Sequence, residues 1–278
     1  MKLRKASAAA SAAIVLALTA TACGGGDKDE KGSGGDGNGK VTIGIKVDQP
    51  GLGQETPDGY AGFDVDVAKY VAKELGYDEG DIEFKEAPSA ERENLLRRGD
   101  VDFIVATYSI TPERKEKVSF AGPYFLAHQD LLIRADDNIT KGEDLNGKKL
   151  CSVTGSTSAQ NVKNKIAPKA QLQEYGGYSE CLTGLESGAV DALTTDDSIL
   201  AGYAAQEQYK GKFKLAGLSL SDENYGIGIK KGDTELQGKI NAALEKMVKD
   251  GAWEKSVKEN FGPANYKNEP APAITEKS

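Results

Sequence analysis

The chain has 278 residues, with 35 Lys and Arg against 43 Asp and Glu, for a net charge of −8. That balance offers no basic stripe to neutralise phosphates, so no nucleic-acid partner is expected. One histidine and three cysteines give no nucleophile-and-base spacing and no metal motif, so neither catalysis, a metal nor a cofactor is expected.

In chain order, Met1 to Lys5 is basic and Ala6 to Ala22 is small and apolar without acidic residues, which reads as a signal peptide over 1–22. The stretch is shorter than the roughly 20 strongly apolar residues of a membrane-spanning helix. Cys23 follows Ala20-Thr21-Ala22 and resembles the lipobox cysteine of bacterial lipoproteins, although Ala20 stands where that pattern usually has Leu. The resemblance implies a lipidated Cys23 at the mature N-terminus; the other reading is an ordinary secretory signal with an incidental cysteine. Gly, Asp, Lys and Ser dominate the rest of 23–39, which reads as a flexible linker between anchor and fold. Pro270, Pro272 and the charged end at Thr275 to Ser278 read as a disordered tail over 267–278.

About 225 residues of foldable chain remain between Lys40 and Tyr266, enough for one large domain or two lobes. Val41 to Ile45 is a predicted strand, and Phe63, Val67, Val71 and Leu75 fall on one face of a helix. Ile82 to Phe84 is the next strand, followed by a charged helix around Glu91 to Arg98 and the strand Val101 to Ala106. The alternation resumes after residue 135 with strand Lys149 to Val153, helix Ser156 to Ile166, strand Val190 to Thr194 and helix Asp197 to Gln206. A strand at Tyr225 to Ile229 and a helix at Thr234 to Lys249 follow, the helix with Leu236, Ile240, Leu244, Met247 and Val248 inward. Two α/β lobes are implied: lobe 1 over 40–128 plus 224–266, and lobe 2 over 129–223. Two strands, near Gln129 to Ile133 and Asp222 to Tyr225, would cross between them as a hinge. Cys151 and Cys181 lie in a compartment that permits disulfides; they either form a bridge or remain two buried thiols.

Gly62-Phe63-Asp64-Val65-Asp66-Val67, Gly99-Asp100-Val101-Asp102, Ser109-Ile110-Thr111-Pro112-Glu113-Arg114, Gly155-Ser156-Thr157, Val190-Asp191-Ala192 and Gly251-Ala252-Trp253 together resemble the polar-amino-acid family of bacterial extracellular solute-binding proteins. The likeness covers nearly all of residues 40–262. Lys46-Val47-Asp48-Gln49-Pro50-Gly51-Leu52-Gly53 and Thr194-Thr195-Asp196-Asp197 are similar to the glutamate-binding proteins of actinobacteria. The resemblance implies a type II clamshell, a monomer on the outer face of the cell membrane, that closes on an amino acid and delivers it to an ABC permease.

It also implies residue roles. Arg114 matches the clamp for the ligand's α-carboxylate, which a guanidinium binds through two parallel hydrogen bonds, and Ser109 adds a hydroxyl. Gly155, Ser156 and Thr157 open a helix whose free N–H groups favour an anion, though an ordinary helix cap would look the same. Asp196 matches the acceptor for the α-ammonium, with Asp197 as its rival. Lys46 stands where acidic-amino-acid binders carry a cation, and Arg92 would be a second one unless it is an exposed helix arginine. Tyr178 would line the pocket, and Tyr108 or Tyr124 would cover the ligand or belong to the core. Lys46, Arg92 and Arg114 against Asp196 sum to about +2, which suits glutamate or aspartate better than a neutral amino acid. Glutamine binding, a sensor module and a dehydratase on the same fold are the competing readings, and His128, near the hinge, is expected to be structural.

Overall fold

The structure, a computed structural model, describes residues 39–277. The expected signal peptide, Cys23 and the linker as far as residue 38 lie outside the described residues.

The chain opens with β1 (Val41–Ile45), then a small antiparallel ribbon of β2 (Asp48–Gln49), β3 (Gly53–Thr56) and β4 (Gly59–Ala61). Helix α1 (Phe63–Glu74) buries Phe63, Val67 and Val71 at fourfold spacing, the stripe that its sequence period requires. Next come β5 (Ile82–Glu86), α2 (Arg92–Arg98), β6 (Phe103–Ile104) and the single-turn α3 (Pro112–Lys115). Strand β7 (Ser119–Arg134) has 16 residues. The chain continues through β8 (Lys149–Val153), α4 (Thr157–Asn161), β9 (Gln171–Tyr175), α5 (Tyr178–Ser187), β10 (Ala192–Asp196), α6 (Asp197–Ala204) and β11 (Phe213–Leu215). It ends with β12 (Asp222–Ile229), α7 (Thr234–Lys249) and α8 (Ala252–Phe261).

The strands lie in the order β5-β1-β6-β12-β7-β10-β8-β9. β1 runs parallel to β5 and β6, and in the other half β8 runs parallel to β9 and β10, so each half is a small α/β lobe. β7 joins them. From Ser119 to His128 it pairs with β12; from Gln129 to Leu132 it pairs with β10, and β11 adds to its end. One continuous strand therefore belongs to both lobes, and β12 re-enters the first lobe beside it at Asp222 opposite His128. These are the two predicted crossing strands. One apolar cluster runs from Phe63, Phe125, Trp253 and Phe261 in the first lobe to Leu182, Leu185 and Leu193 in the second, and Leu131, Ile133, Leu150 and Val162 belong to a further cluster in the second.

Cys151 in β8 and Cys181 in α5 are bonded, with Cα atoms 5.6 Å apart. The bridge closes a loop with a sequence separation of 30 and ties α5 to the sheet behind it. Replacing both cysteines with serine should lower unfolding free energy by about 3–4 kcal/mol, as the loop-entropy relation gives. A urea midpoint unchanged in the double variant would rule that out.

The C-terminal segment differs from expectation. Residues beyond Tyr266 do not trail away: Ala271 and Ile274 rest on the first lobe's core. The backbone N–H groups of Thr275 and Glu276 both donate to Gly122 O at 3.0 Å, Asn241 Nδ2 donates to Glu276 O at 2.7 Å, and Lys115 pairs with Glu276 at 2.8 Å. Pro270 and Pro272 favour an extended chain with few internal hydrogen bonds to make, so the segment lies along a surface that its composition alone does not reveal.

Candidate functional site

The cleft between the lobes is closed down to a cavity of about 10 Å³. From the first lobe it is lined by Ser89, Arg92, Thr107, Ser109 and Arg114; from the second by Ser156, Thr157, Ser158, Tyr178, Thr195, Asp196 and Ile199. Ile199 apart, both faces are polar.

Arg92 opens α2 and Arg114 lies in α3, whose N-cap Thr111 accepts the Arg114 N–H. Arg92 is 2% exposed and Arg114 8%, so neither is a surface arginine. Their guanidiniums flank the Tyr108 ring, with centroid distances of 5.0 and 4.8 Å. The aromatic ring that both approach offsets part of the cost of burying two like charges, each contact contributing up to about 2 kcal/mol when desolvated. Burial, and secondarily the charge of Arg114, hold the Arg92 guanidinium below its ordinary pKa. Arg92 Nε donates to Ala87 O at 3.2 Å. Arg114 donates to Ser109 O at 2.8 Å and, across the cleft, to Gly155 O at 3.2 Å.

Thr107 holds a φ of 46°, a left-handed conformation that costs a β-branched residue about 1–3 kcal/mol. Its N–H donates to Asp64 Oδ2 at 2.8 Å and its hydroxyl approaches Gln49 at 3.2 Å, which keeps it there. Asp64 also accepts from Tyr124 at 2.7 Å. Burial pushes its carboxyl up to about 6, against these bonds and the Arg92 charge.

On the opposite wall Gly155 has a φ of 78°, and Ser156 caps α4 by accepting from Ala159 N at 3.2 Å. Thr157 donates to Glu223 at 3.1 Å. Tyr178 accepts from Thr195 at 2.7 Å. Asp196 ends β10; Tyr225 donates to its Oδ2 at 2.6 Å and Ser158 to its Oδ1 at 3.4 Å. Burial, then the neighbouring Glu223 charge, raise its carboxyl well above the ordinary range, with Tyr225 opposing. Asp197 turns away, accepting from His128 N, Ser198 N and Tyr266.

Of the predicted site residues, Arg92, Ser109, Arg114, Ser156, Thr157, Tyr178 and Asp196 line one cavity, and Gly155 adjoins it through its carbonyl. Lys46 is placed differently. It is 1% exposed, absent from the lining, and paired with Asp48 at 2.8 Å. The carboxylate two residues along captures its charge, so the side chains lining the cavity sum to +1, two guanidiniums against Asp196, rather than about +2. Tyr108 and Tyr124 are core residues behind the site. The sequence reading missed Ser89, Thr107, Ser158, Thr195 and Ile199. Thr195, beside Asp196, and Ser158, beside Thr157, carried a positional signal.

A two-lobed clamshell joined by crossing strands, with a polar, charged cavity between its lobes, defines a solute-binding protein. The family model of the bacterial extracellular solute-binding proteins, family 3, matches residues 41–263, and the chain belongs to that family. It is similar to the glutamate-binding protein GluB of Corynebacterium efficiens, 52% identical over 80% of this chain and 79% of that one. The glutamine-binding protein GlnH of Bacillus subtilis is 43% identical over 79% and 80%. Among solved structures, an ancestral arginine-binding protein bound to arginine matches with a TM-score of 0.75 and 38% identity, covering 81% of this chain and all of that one. The chain is thus an extracytoplasmic solute-binding protein for amino-acid import, and not an enzyme.

Proposed function

We propose that this protein captures an acidic amino acid, glutamate with aspartate as the alternative, and presents it to an ABC permease. The observation that carries the reading is the buried pair Arg92 and Arg114 facing Asp196 across the cavity. Arg114, with Ser109 and the opening turn of α4, receives the α-carboxylate. Asp196 receives the α-ammonium, and Arg92 receives the side-chain carboxylate. A ligand of net charge −1 neutralises a lining of +1, whereas glutamine leaves one buried guanidinium unpaired, at a cost of several kcal/mol. The similarity to a glutamate-binding protein at 52% identity supports the choice. Lobe 1 is 40–128 with 224–266 and lobe 2 is 129–223; they close on the ligand by rotation about β7 and β12. Cys23 carries a lipid anchor on the outer face of the membrane, 24–39 is the leash, and the protein acts as a monomer.

Titration calorimetry of refolded, ligand-stripped protein against glutamate, aspartate, glutamine and arginine tests this. The expected result is selective binding of glutamate or aspartate, weakened about a hundredfold by Arg92→Gln while glutamine is held nearly as before. Preference for glutamine or arginine in the wild type, or equal losses for glutamate and glutamine in the variant, would refute it.

A further inference from the structure

Asp48 lies in the first lobe, outside the cavity lining, yet its bonds reach the second lobe. Its Oδ2 accepts the backbone N–H of Tyr178 at 3.1 Å, and its carbonyl oxygen accepts the Tyr203 hydroxyl. Its other carboxylate oxygen is held by Lys46 at 2.8 Å. Tyr178 begins α5, whose N-cap is Gly177, a residue with no side chain to cap the helix. Glu180 in the first turn of α5 accepts the Gly177 N–H at 3.0 Å, and the carboxylate of the other lobe adds the acceptor for the next free N–H, that of Tyr178, with a second negative charge at the helix N-terminus.

Two glycines make the approach possible. A Cβ on Gly177 would stand 2.8 Å from Asp48 Oδ2, and one on Gly202, within α6, only 2.2 Å from Pro50 O. Side chains at either position would hold the β2 loop away from α5 and α6. Gly202 has ordinary helical backbone, where glycine is a poor helix former and alanine the best. Its local structure gives no reason for glycine; the facing lobe does.

We infer that Asp48 and the loop that follows it form a latch that fastens the lobes, with Gly202 as the clearance it needs and Lys46 as the counter-ion that orients it. Asp48 is a positioning residue: it acts on the ligand through Tyr178, whose ring lines the cavity while its N–H is fastened to the latch. Tyr178 and Tyr203 pack edge to face, with centroids 6.3 Å apart, so both donors to the latch move as one body with the second lobe. The latch stabilises the closed form and slows release, and does not choose the ligand. The inference rests on the cleft being the ligand site but not on which amino acid fills it.

The test is Gly202→Ala in the protein from Lys40 to Ser278, using whichever amino acid of the panel the wild type binds. Alanine should leave the thermal midpoint of the ligand-free protein unchanged or raised. The dissociation constant should rise about tenfold or more, since binding must then work against the closed state, and the ligand-induced fall in radius of gyration should shrink in X-ray scattering. Asp48→Asn, which keeps the shape but loses the ion pair with Lys46, should speed dissociation in stopped-flow with the association rate unchanged. Wild-type affinity and compaction in Gly202→Ala, or a wild-type dissociation rate in Asp48→Asn, would overturn the latch. A wild type that closes on glutamine instead of glutamate would sink the acidic reading while leaving the latch test intact.

Discussion

Arg114→Met should raise the dissociation constant for glutamate by about three orders of magnitude, the scale expected when one partner of a desolvated, hydrogen-bonded charge pair is removed. The side chain is nearly buried, lies on the Tyr108 ring and is fixed by Ser109 O. It is thus preorganised, and little conformational entropy remains to be lost when an α-carboxylate arrives. Its bond to Gly155 O also makes it part of the contact between the lobes, so ligand and closure draw on the same group. Arg114→Lys should recover only part of the loss, because an ammonium cannot reproduce the fork. Methionine preserves much of the apolar stem that covers Tyr108, and circular dichroism of the ligand-free variant checks that the fold survives. A dissociation constant within tenfold of wild type in a folded Arg114→Met protein would remove Arg114 from the site.

The second large effect is expected at Asp196. Asp196→Asn should weaken binding by about 2–5 kcal/mol, since it leaves the ligand ammonium without its counter-charge in a desolvated cleft. The same residue sets a pH dependence. Its folded-state carboxyl is raised well above its ordinary 3.8, chiefly by burial, so the folded state binds a proton more tightly than the unfolded chain does. Its contribution to stability is therefore fully present below 3.8 and is lost as pH rises through the folded value. A bound ammonium reverses the perturbation and favours the carboxylate. Ligand binding at mildly acidic pH should release a proton, and affinity should fall as the pH drops. Calorimetry in two buffers of different ionisation enthalpy reads that proton directly. Asp64, raised to about 6, acts on stability with the same sign but does not line the cavity, so proton release that persists in Asp196→Asn would assign it elsewhere.

How much of this was legible differs from element to element. The strand Lys149–Val153 and the helix Thr234–Lys249 appear at their predicted bounds, because a compact apolar run and a regular inward stripe are properties of the segment itself; Val248, expected inward, is 45% exposed, since it lies next to Met247 and off the stripe. The predicted strand Val190 to Thr194 instead runs from Ala192 to Asp196, which puts Asp196 in the sheet and leaves α6 to begin immediately after it. The predicted strand Val101 to Ala106 contracts to Phe103–Ile104. The helix expected over Ser156 to Ile166 divides into α4 and a π-helical turn, Val162–Ile166. The ribbon β2 to β4 was not foreseen, since Asp48 to Ala61 is rich in glycine and polar residues without apolar alternation. Strand β7 was seen only in part, as the crossing near Gln129 to Ile133, whereas it runs unbroken from Ser119 to Arg134.

By itself, the sequence implied two α/β lobes, made Arg114, Arg92 and either Asp196 or Asp197 candidates for one cleft through the family motifs, and left Cys151 available to bridge Cys181. Apolar periodicity fixes which face of each element is buried, and family motifs tie particular polar residues to strand and helix ends. Only the tertiary structure decided that Lys46 belongs to Asp48, that Asp196 rather than Asp197 faces the cavity, and that the proline-containing tail returns to the first lobe. The physical reason is common to all three. Each depends on the distance between charged or polar groups that the fold brings together, and electrostatic and hydrogen-bond energies change steeply over a few ångströms, whereas local sequence patterns carry no such distances.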